Sequence, residues 1–360
     1  MSVETPPTPA STSRRQAQHR ERAFMSGGKG NDFTNWLAAL PEDLEYVGEF
    51  GPELVLALPV LNWLSITGNL SDRRIVTYTG MRCFYDDLKC REIVEKKAKR
   101  QFVYPVARAF WLPAKNEHTF DDKQRKPVHI WPDLRAKFQK LPLTPNVTAA
   151  GKPLLIIHNK YCDEWQRGPI NFLSVDLLDQ IFSRLSKTFT IVYIRHGKSK
   201  KEGFAEDHNT LMDFDDHGLT EKYDDVHGFD DLYKKHIELG GTQDINTFKN
   251  VLYSRCYHFM SSQGGGAHQI ALYSGSVLSV MHRMGKEELW AYDEGYYGFM
   301  ATIPPIRAIC RDEQDMLRSV DLFADSQVVD RRVLVARSAF ETVEYLSPSN
   351  FNKRRLAPAS

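Results

Sequence analysis

Short apolar runs that alternate with amphipathic segments are the feature that most limits what this chain can fold into. Between residues 153 and 282, the runs PLLIIHN, TIVYIRHG, YHFMSS and SVLSVMH have the length and composition of buried strands. The segment SVDLLDQIFSRLSKTF lies between two of them, with Ser174 as its predicted N-cap. Its apolar residues recur at helical spacing: Leu177, Leu178, Ile181, Phe182 and Leu185. This alternation predicts a doubly wound α/β unit with a parallel sheet.

The first half of the chain repeats the pattern on a smaller scale. LEYVGEF, residues 44–50, is predicted as a strand, and RRIVTYTG as the next one. Between them, Pro52 suits the first turn of a helix and Gly68 its end. The interpretation is therefore α/β for both halves.

Proline-rich, weakly periodic sequence separates the two halves. We expect a disordered tail over residues 1–30, an N-terminal α/β domain over 31–148 and a second α/β domain over 149–330. Residues 331–360 are predicted to form a C-terminal helix that crosses back to the first domain.

Composition excludes several classes of protein. A formal charge of +1 over 360 residues argues against a nucleic-acid binder that works by bulk charge. The five cysteines are scattered and form no CxxC pair, which favours a reducing compartment. We expect a cytoplasmic, soluble protein without a transmembrane segment, since no apolar run approaches the length of a membrane helix.

Three successive glycines, Gly264, Gly265 and Gly266, follow the strand YHFMSS and precede a predicted helix. Backbone amides at such a turn can approach an anion closely, and a diphosphate is a common occupant. Close packing of the helix on the strand, or a flexible turn, would also explain the glycines. Polar residues that flank the turn could add donors to a phosphate or sugar: Ser262, Gln263 and His268.

Two further loops follow predicted strands of the same sheet. Asn159 and Lys160 end the first of these strands, and Arg195 and His196 end the second. Because the carboxyl ends of parallel strands share one edge, we expect these residues beside the glycines. Arginine and lysine there would favour an anionic ligand.

An acidic stretch, residues 206–231, contains several aspartates and histidines but matches neither the spacing of an EF-hand nor the HExxH motif. A solvated loop is the simpler interpretation. No metal is expected to be obligatory; if Mg²⁺ or Mn²⁺ takes part, we expect it to accompany a bound diphosphate and not to occupy a dedicated protein site. In the first half, Glu49 and Glu53 flank a strand-to-helix turn and are candidates for a general base. Glu53 could equally be a favourable first-turn residue.

The segments HFMSSQGGGAHQIALYSGSVLSVMHRMGKE and GEFGPELVLALPVLNWL resemble those of glycosyltransferases of the GT-B type. That resemblance implies two Rossmann-like domains that face a cleft. It also implies a nucleoside diphosphate sugar as co-substrate and a glycan or other hydroxyl acceptor. Glu49 or Glu53 would be the catalytic base of an inverting enzyme. Glu294 and Tyr296 would contact the nucleoside.

Two alternatives stay open at this point. A nucleotide-sugar epimerase on the same plan would bind the same donor and need no acceptor. A non-catalytic carbohydrate- or nucleotide-binding protein would keep the fold without turnover.

Overall fold

The structure, a computed structural model, describes residues 37–100, 129–147, 151–196, 212–285, 287, 291–292, 295–298 and 300–324. The chain divides into two compact units, Met1–Pro132 and Asp133–Ser360. The predicted N-terminal tail and the predicted C-terminal helix lie outside the described residues.

The first unit contains a three-stranded parallel sheet in the order β1-β2-β3. Its strands are β1 (Asp43–Glu45), β2 (Arg74–Tyr78) and β3 (Glu92–Lys96). Helix α1 (Phe50–Thr67) connects the first two, and α2 (Arg82–Tyr85) the second and third. The strand predicted over residues 44–50 covers only Asp43–Glu45, and the chain enters α1 at Phe50.

Helix α1 is predominantly apolar. By length and composition it could cross a membrane, which corrects the sequence-based expectation that no apolar run approaches that length. However, 67% of it is buried within the protein, as in the core helix of a globular domain. Glu53–Ala57 form a π-helical turn inside it, and Gly68 ends it in the left-handed conformation predicted for a C-cap glycine.

The second unit contains a six-stranded, fully parallel sheet in the order β6-β5-β4-β7-β8-β9. Its strands are β4 (Leu154–Lys160), β5 (Thr190–His196), β6 (Val226–Gly228), β7 (His258–Ser262), β8 (Val277–Met281) and β9 (Ile306–Cys310). This is the strand order of a Rossmann fold, so the α/β prediction is confirmed.

In the described part of the chain, four helices lie between strands of this sheet: α4 (Val175–Leu185), α5 (Phe229–Glu238), α6 (Ile245–Arg255) and α7 (Gly265–Ala271). Helix α3 (Leu134–Phe138) precedes the sheet, and α8 (Glu313–Ala324) follows its last strand. Ser174 caps α4 as predicted and accepts a hydrogen bond from the Leu177 amide at 3.2 Å. The five predicted apolar residues of α4 are all fully buried in the core of this unit.

The second unit begins earlier in the chain than the boundary between residues 148 and 149 predicted from the sequence. The physical reason is Arg135 in α3, which is buried and donates hydrogen bonds to backbone carbonyls at the end of α6, just after α6 and after α7. Its guanidinium also lies over the Tyr257 ring, 3.8 Å from the centroid. Helix α3 therefore belongs to the second unit.

Candidate functional site

The topological switch point of the second sheet lies between β4 and β7. The two strands pair in parallel from Leu155 opposite His258 to His158 opposite Ser261. From β4 the chain continues outward to β5 and β6, and from β7 it continues the other way to β8 and β9. The connections diverge here and open a crevice at the carboxyl ends of both strands, where ligands of such sheets bind.

The glycine turn follows β7 at this crevice. Gly264 has φ +126° and ψ −159°, a conformation that side-chain-bearing residues rarely adopt. A Cβ at Gly264 would lie 3.2 Å from Nζ of Lys160, and one at Gly266 would lie 2.3 Å from Nδ1 of His158. The glycines thus let two basic side chains from β4 approach the turn. Helix α7 has only seven residues, so its dipole contributes little beyond the turn itself.

Lys160 is held above the turn by a buried carboxylate. Its Nζ lies 3.2 Å from Oε2 of Glu164, and the lysine side chain keeps 17% of its surface exposed. Glu164 also accepts hydrogen bonds from the Asn171 amide at 2.8 Å, from Asn171 Nδ2 at 2.9 Å and from the Ile170 amide at 3.3 Å. These bonds fix the carboxylate, so Lys160 is the partner that can turn toward a ligand.

Ser262 and Gln263 are buried within the same polar network. The hydroxyl of Ser262 accepts a hydrogen bond from the Lys160 amide at 3.1 Å. The side chain of Gln263 donates to Glu287 and accepts from Asn171 Nδ2 at 3.3 Å. Both side chains therefore contact the turn from the protein interior, and neither is exposed to solvent.

Glu287 is a buried carboxylate that sequence reasoning did not single out. Burial raises its pKa, but the hydrogen bond from His282 and the histidine at 268 outweigh this and hold the pKa below its usual range. The sequence analysis also did not single out Glu164 and Asn171, because each is an isolated polar residue in a loop. In the structure, Gly285 leaves room for the carboxylate of Glu287, because a Cβ at Gly285 would collide with it.

His268 is fully enclosed in α7. Burial lowers its pKa to about 4, so the ring is neutral at neutral pH. Its Nδ1 lies 2.8 Å from the hydroxyl of Tyr297. Tyr296 is also buried, and burial raises its pKa far above the ordinary value. Glu294 lies outside the described residues.

Asn159 and Arg195 have partners elsewhere in the fold. Asn159 is fully buried and exchanges hydrogen bonds with the backbone of Leu173 at 2.9 and 3.0 Å. Arg195 forms an ion pair of 3.1 Å with Asp216 and donates to the Phe214 carbonyl at 2.6 Å. Both contacts are structural. The backbone of His196 pairs with Lys160 at the end of the strands, and its side chain is outside the described part.

The acidic stretch does not assemble a metal site in its described part. Across the described residues, no three histidine, cysteine, aspartate or glutamate side chains converge on a point that could hold a metal ion. Asp216 is instead buried against Arg195 and accepts a hydrogen bond from the Tyr193 hydroxyl at 2.8 Å.

The two carboxylates predicted as general bases lie in the first unit and differ in environment. Glu53, in the π-helical turn, is fully buried, with its Oε2 2.7 Å from Nη2 of Arg100. It also accepts hydrogen bonds from Thr77 and, at 3.0 Å, from the Tyr85 hydroxyl. Glu49 precedes the helix and is half-buried. These contacts favour a structural role for Glu53.

Comparisons with known proteins place the chain in no family. No protein-family model matches it, and no curated protein does either. Among solved structures, it is similar to the catalytic domain of starch synthase IV from Arabidopsis thaliana bound to ADP and acarbose. The identity is 13% over 62% of this chain and 41% of that one, with a TM-score of 0.29. The chain thus spans less than half of that domain.

Two other solved structures are similar at the same low level. A Listeria monocytogenes protein described as a UDP-N-acetylglucosamine 2-epimerase is 12% identical over 99% of this chain and 83% of that one, with a TM-score of 0.33. The wall teichoic acid polymerase TagF is 9% identical over 96% of this chain and 99% of that one, with a TM-score of 0.26. The fold assignment rests on the strand order of the chain itself.

Proposed function

We propose that this chain is a glycosyltransferase whose donor is a nucleoside diphosphate sugar, with the diphosphate bound at the carboxyl edge of the second sheet. The observation that carries the proposal is the meeting of Lys160 and Gly264 at the switch point of a Rossmann sheet. A partly exposed glycine backbone and a flexible ammonium group suit a doubly charged, compact anion. The resemblance of the glycine segment to GT-B donor domains supports the same assignment.

The chemistry follows from charge. The bond between the anomeric carbon and the diphosphate oxygen breaks, and its electron pair leaves with the diphosphate. Lys160 would turn from Glu164 toward the departing oxygens and stabilise the charge that builds there. The acceptor hydroxyl forms the new bond to the anomeric carbon and gives up its proton. A glycan or another hydroxyl compound is the acceptor class, and we propose that Lys160 supplies the positive charge without an obligatory metal.

The base of an inverting reaction is proposed to be Glu49, which is half-buried and precedes the ion-paired Glu53. In a retaining reaction neither carboxylate is needed as a base.

A second candidate is a protein that binds the same donor without transfer, either an epimerase or a non-catalytic binder. The buried pair of Glu53 and Arg100 favours the non-catalytic binder, because this pair removes one of two candidate bases in the first unit. Incubation of donor with and without a panel of hydroxyl acceptors separates these functions. Glycoside that forms only with acceptor supports transfer. Sugar isomers formed without acceptor indicate an epimerase, and binding with neither product indicates a non-catalytic protein.

The donor site itself is tested by calorimetric titration with UDP, GDP, ADP and pyrophosphate. We expect Lys160→Met and Gly264→Ala to weaken binding at least tenfold, which corresponds to about 1.4 kcal/mol. Lys152→Met is the matched control, since Lys152 precedes the opposite end of β4 and pairs with Asp225 at 2.7 Å. Gly275→Ala is the control for positive φ away from the turn, at +73°. Equal affinity in Lys160→Met and in the wild type would remove the basis of the proposal.

A further inference from the structure

The loop after β4 presents a tryptophan to solvent on a left-handed turn. Trp165 has φ +55° and Gln166 has φ +60°, and they are the two residues other than glycine with positive φ in the described chain. Trp165 is 55% exposed. Left-handed backbone is unfavourable for residues with a Cβ. An exposed indole also contributes less to stability than a buried one, because its apolar surface stays in water. A feature unfavourable on both counts points to a function.

The turn is rigidly braced. Its ends are joined by hydrogen bonds from the Glu164 amide to the Gly168 carbonyl at 3.1 Å and from the Arg167 amide to the Glu164 carbonyl at 3.1 Å. The Gly168 amide also donates to Oδ1 of Asp163 at 2.7 Å. Below the turn, the buried carboxylate of Glu164 is fixed by its own bonds. These hydrogen bonds hold the backbone on either side of Trp165 in one conformation.

The turn connects the tryptophan to the anion site. Glu164, the neighbour of Trp165, holds the Nζ of Lys160 at 3.2 Å. On the other side of the turn, Nη1 of Arg167 contacts the sulfur of Met284 at 3.7 Å, and Met284 is 41% exposed. Met284 follows β8, so the turn reaches strand ends on both sides of β7.

We propose that Trp165 is a stacking platform for the ring of a phosphate-bearing ligand whose phosphates bind at Lys160 and Gly264. Arg167 and Met284 form the rim of this platform. The occupant is a flat or chair-shaped ring joined to phosphate, either a nucleobase or a pyranose, since both present a face that an indole covers well. This inference rests on the proposed donor site, in which the phosphates bind at Lys160 and Gly264, and it assigns the place where the ring of the donor binds.

The test compares ligands with and without a ring. Pyrophosphate carries no ring, UDP carries a base and a ribose, and glucose 1-phosphate carries a pyranose. We expect Trp165→Ala to lower the affinity for the ring-bearing ligand by about fivefold to a hundredfold, as for bases stacked on aromatic side chains. Affinity for pyrophosphate stays unchanged, and Trp165→Phe is intermediate. Loss with UDP identifies the base as the occupant, and loss with glucose 1-phosphate identifies the sugar.

Gln166→Gly is the matched control, because it relieves the left-handed backbone of the same turn and keeps the indole. It should bind every ligand as the wild type does. Quenching of tryptophan fluorescence by the ring-bearing ligand, lost in Trp165→Phe, is an independent readout.

Two results overturn the platform alone: unchanged affinity for all ligands in Trp165→Ala, or an equal loss for pyrophosphate, which would mean that Trp165 only shapes the turn. If the wild type binds none of the three ligands (pyrophosphate, UDP and glucose 1-phosphate), both the donor site and the platform are overturned. The pyrophosphate titration thus separates failure of this inference from failure of the proposed function.

Discussion

Gly266 and His158 occupy one small space between α7 and β4. A Cβ at Gly266 would lie 2.3 Å from Nδ1 of the buried histidine ring, so only a hydrogen fits there. Gly264 is required for a different reason, since its φ of +126° excludes ordinary side chains. The glycine run thus combines close packing of helix on strand with a backbone left open beside Lys160.

Gly266→Ala should destabilise the protein by about 1–3 kcal/mol, because the added methyl group forces the His158 ring out of its place in a packed interior. Urea denaturation of the full chain measures this. Adding His158→Ala removes the ring that the methyl group meets. The double variant should therefore lose less unfolding free energy than the sum of the losses in the two single variants. Strict additivity of the two substitutions would show that the ring is not what the methyl group meets.

Glu53→Gln should destabilise the protein by about 3–5 kcal/mol, because it leaves the buried Arg100 without its counter-charge. Denaturation of the full chain checks this. Glu42→Gln is the matched control: Glu42 pairs with Arg91 on the surface, and loss of that pair should cost about 0–1 kcal/mol. Unchanged stability of Glu53→Gln together with lost sugar transfer would instead identify Glu53 as the base.

Stability should fall as the pH drops from about 6.5 to about 4. Burial lowers the pKa of His268 to about 4 in the folded protein, whereas the unfolded chain has the ordinary value of 6.5. Between these values only the unfolded state binds the proton, so acid favours unfolding, by about 3 kcal/mol over the window. Glu287 and Lys160 are the charged groups that act on the ring, in opposite directions.

Unfolding free energies of the wild type and of His268→Gln, measured at intervals across this window, test the assignment. The variant should show a flatter dependence on pH. An identical slope in both proteins would mean that another group, such as the half-buried His227, whose pKa burial also lowers, dominates the acid sensitivity.

Arg135→Lys should destabilise the second unit by at least about 2 kcal/mol, because an ammonium group cannot replace the planar fork and leaves buried acceptors unpaired. The guanidinium donates to four oxygens: the carbonyls of Ser254, Cys256 and Ser274 and the hydroxyl of Ser276. Arg255→Lys is the control, since Arg255 binds two carbonyls at the surface. Equal small effects at both positions would contradict the assignment of α3 to this unit.

Much of the fold was predictable from local pattern. The strands β4, β5, β7 and β8 and the cap at Ser174 follow from apolar runs and side-chain chemistry within a few residues. The placement of Lys160 beside the glycine turn was also predictable, because the carboxyl ends of parallel strands lie at the same edge of the sheet. The sequence could likewise indicate that Gly264 needs unusual backbone freedom.

Tertiary structure decided which partners the polar residues at that edge have within the fold. Asn159 and Arg195 resemble Lys160 in sequence, yet Asn159 is bonded to Leu173 and Arg195 to Asp216. These partners lie 14 and 21 residues away along the chain, and no local periodicity encodes them. Glu53 likewise meets Arg100 only through the fold. Because a side chain's charge acts through its neighbours in space, the sequence determined the scaffold and the strand-end loops, whereas packing determined the role of each polar group.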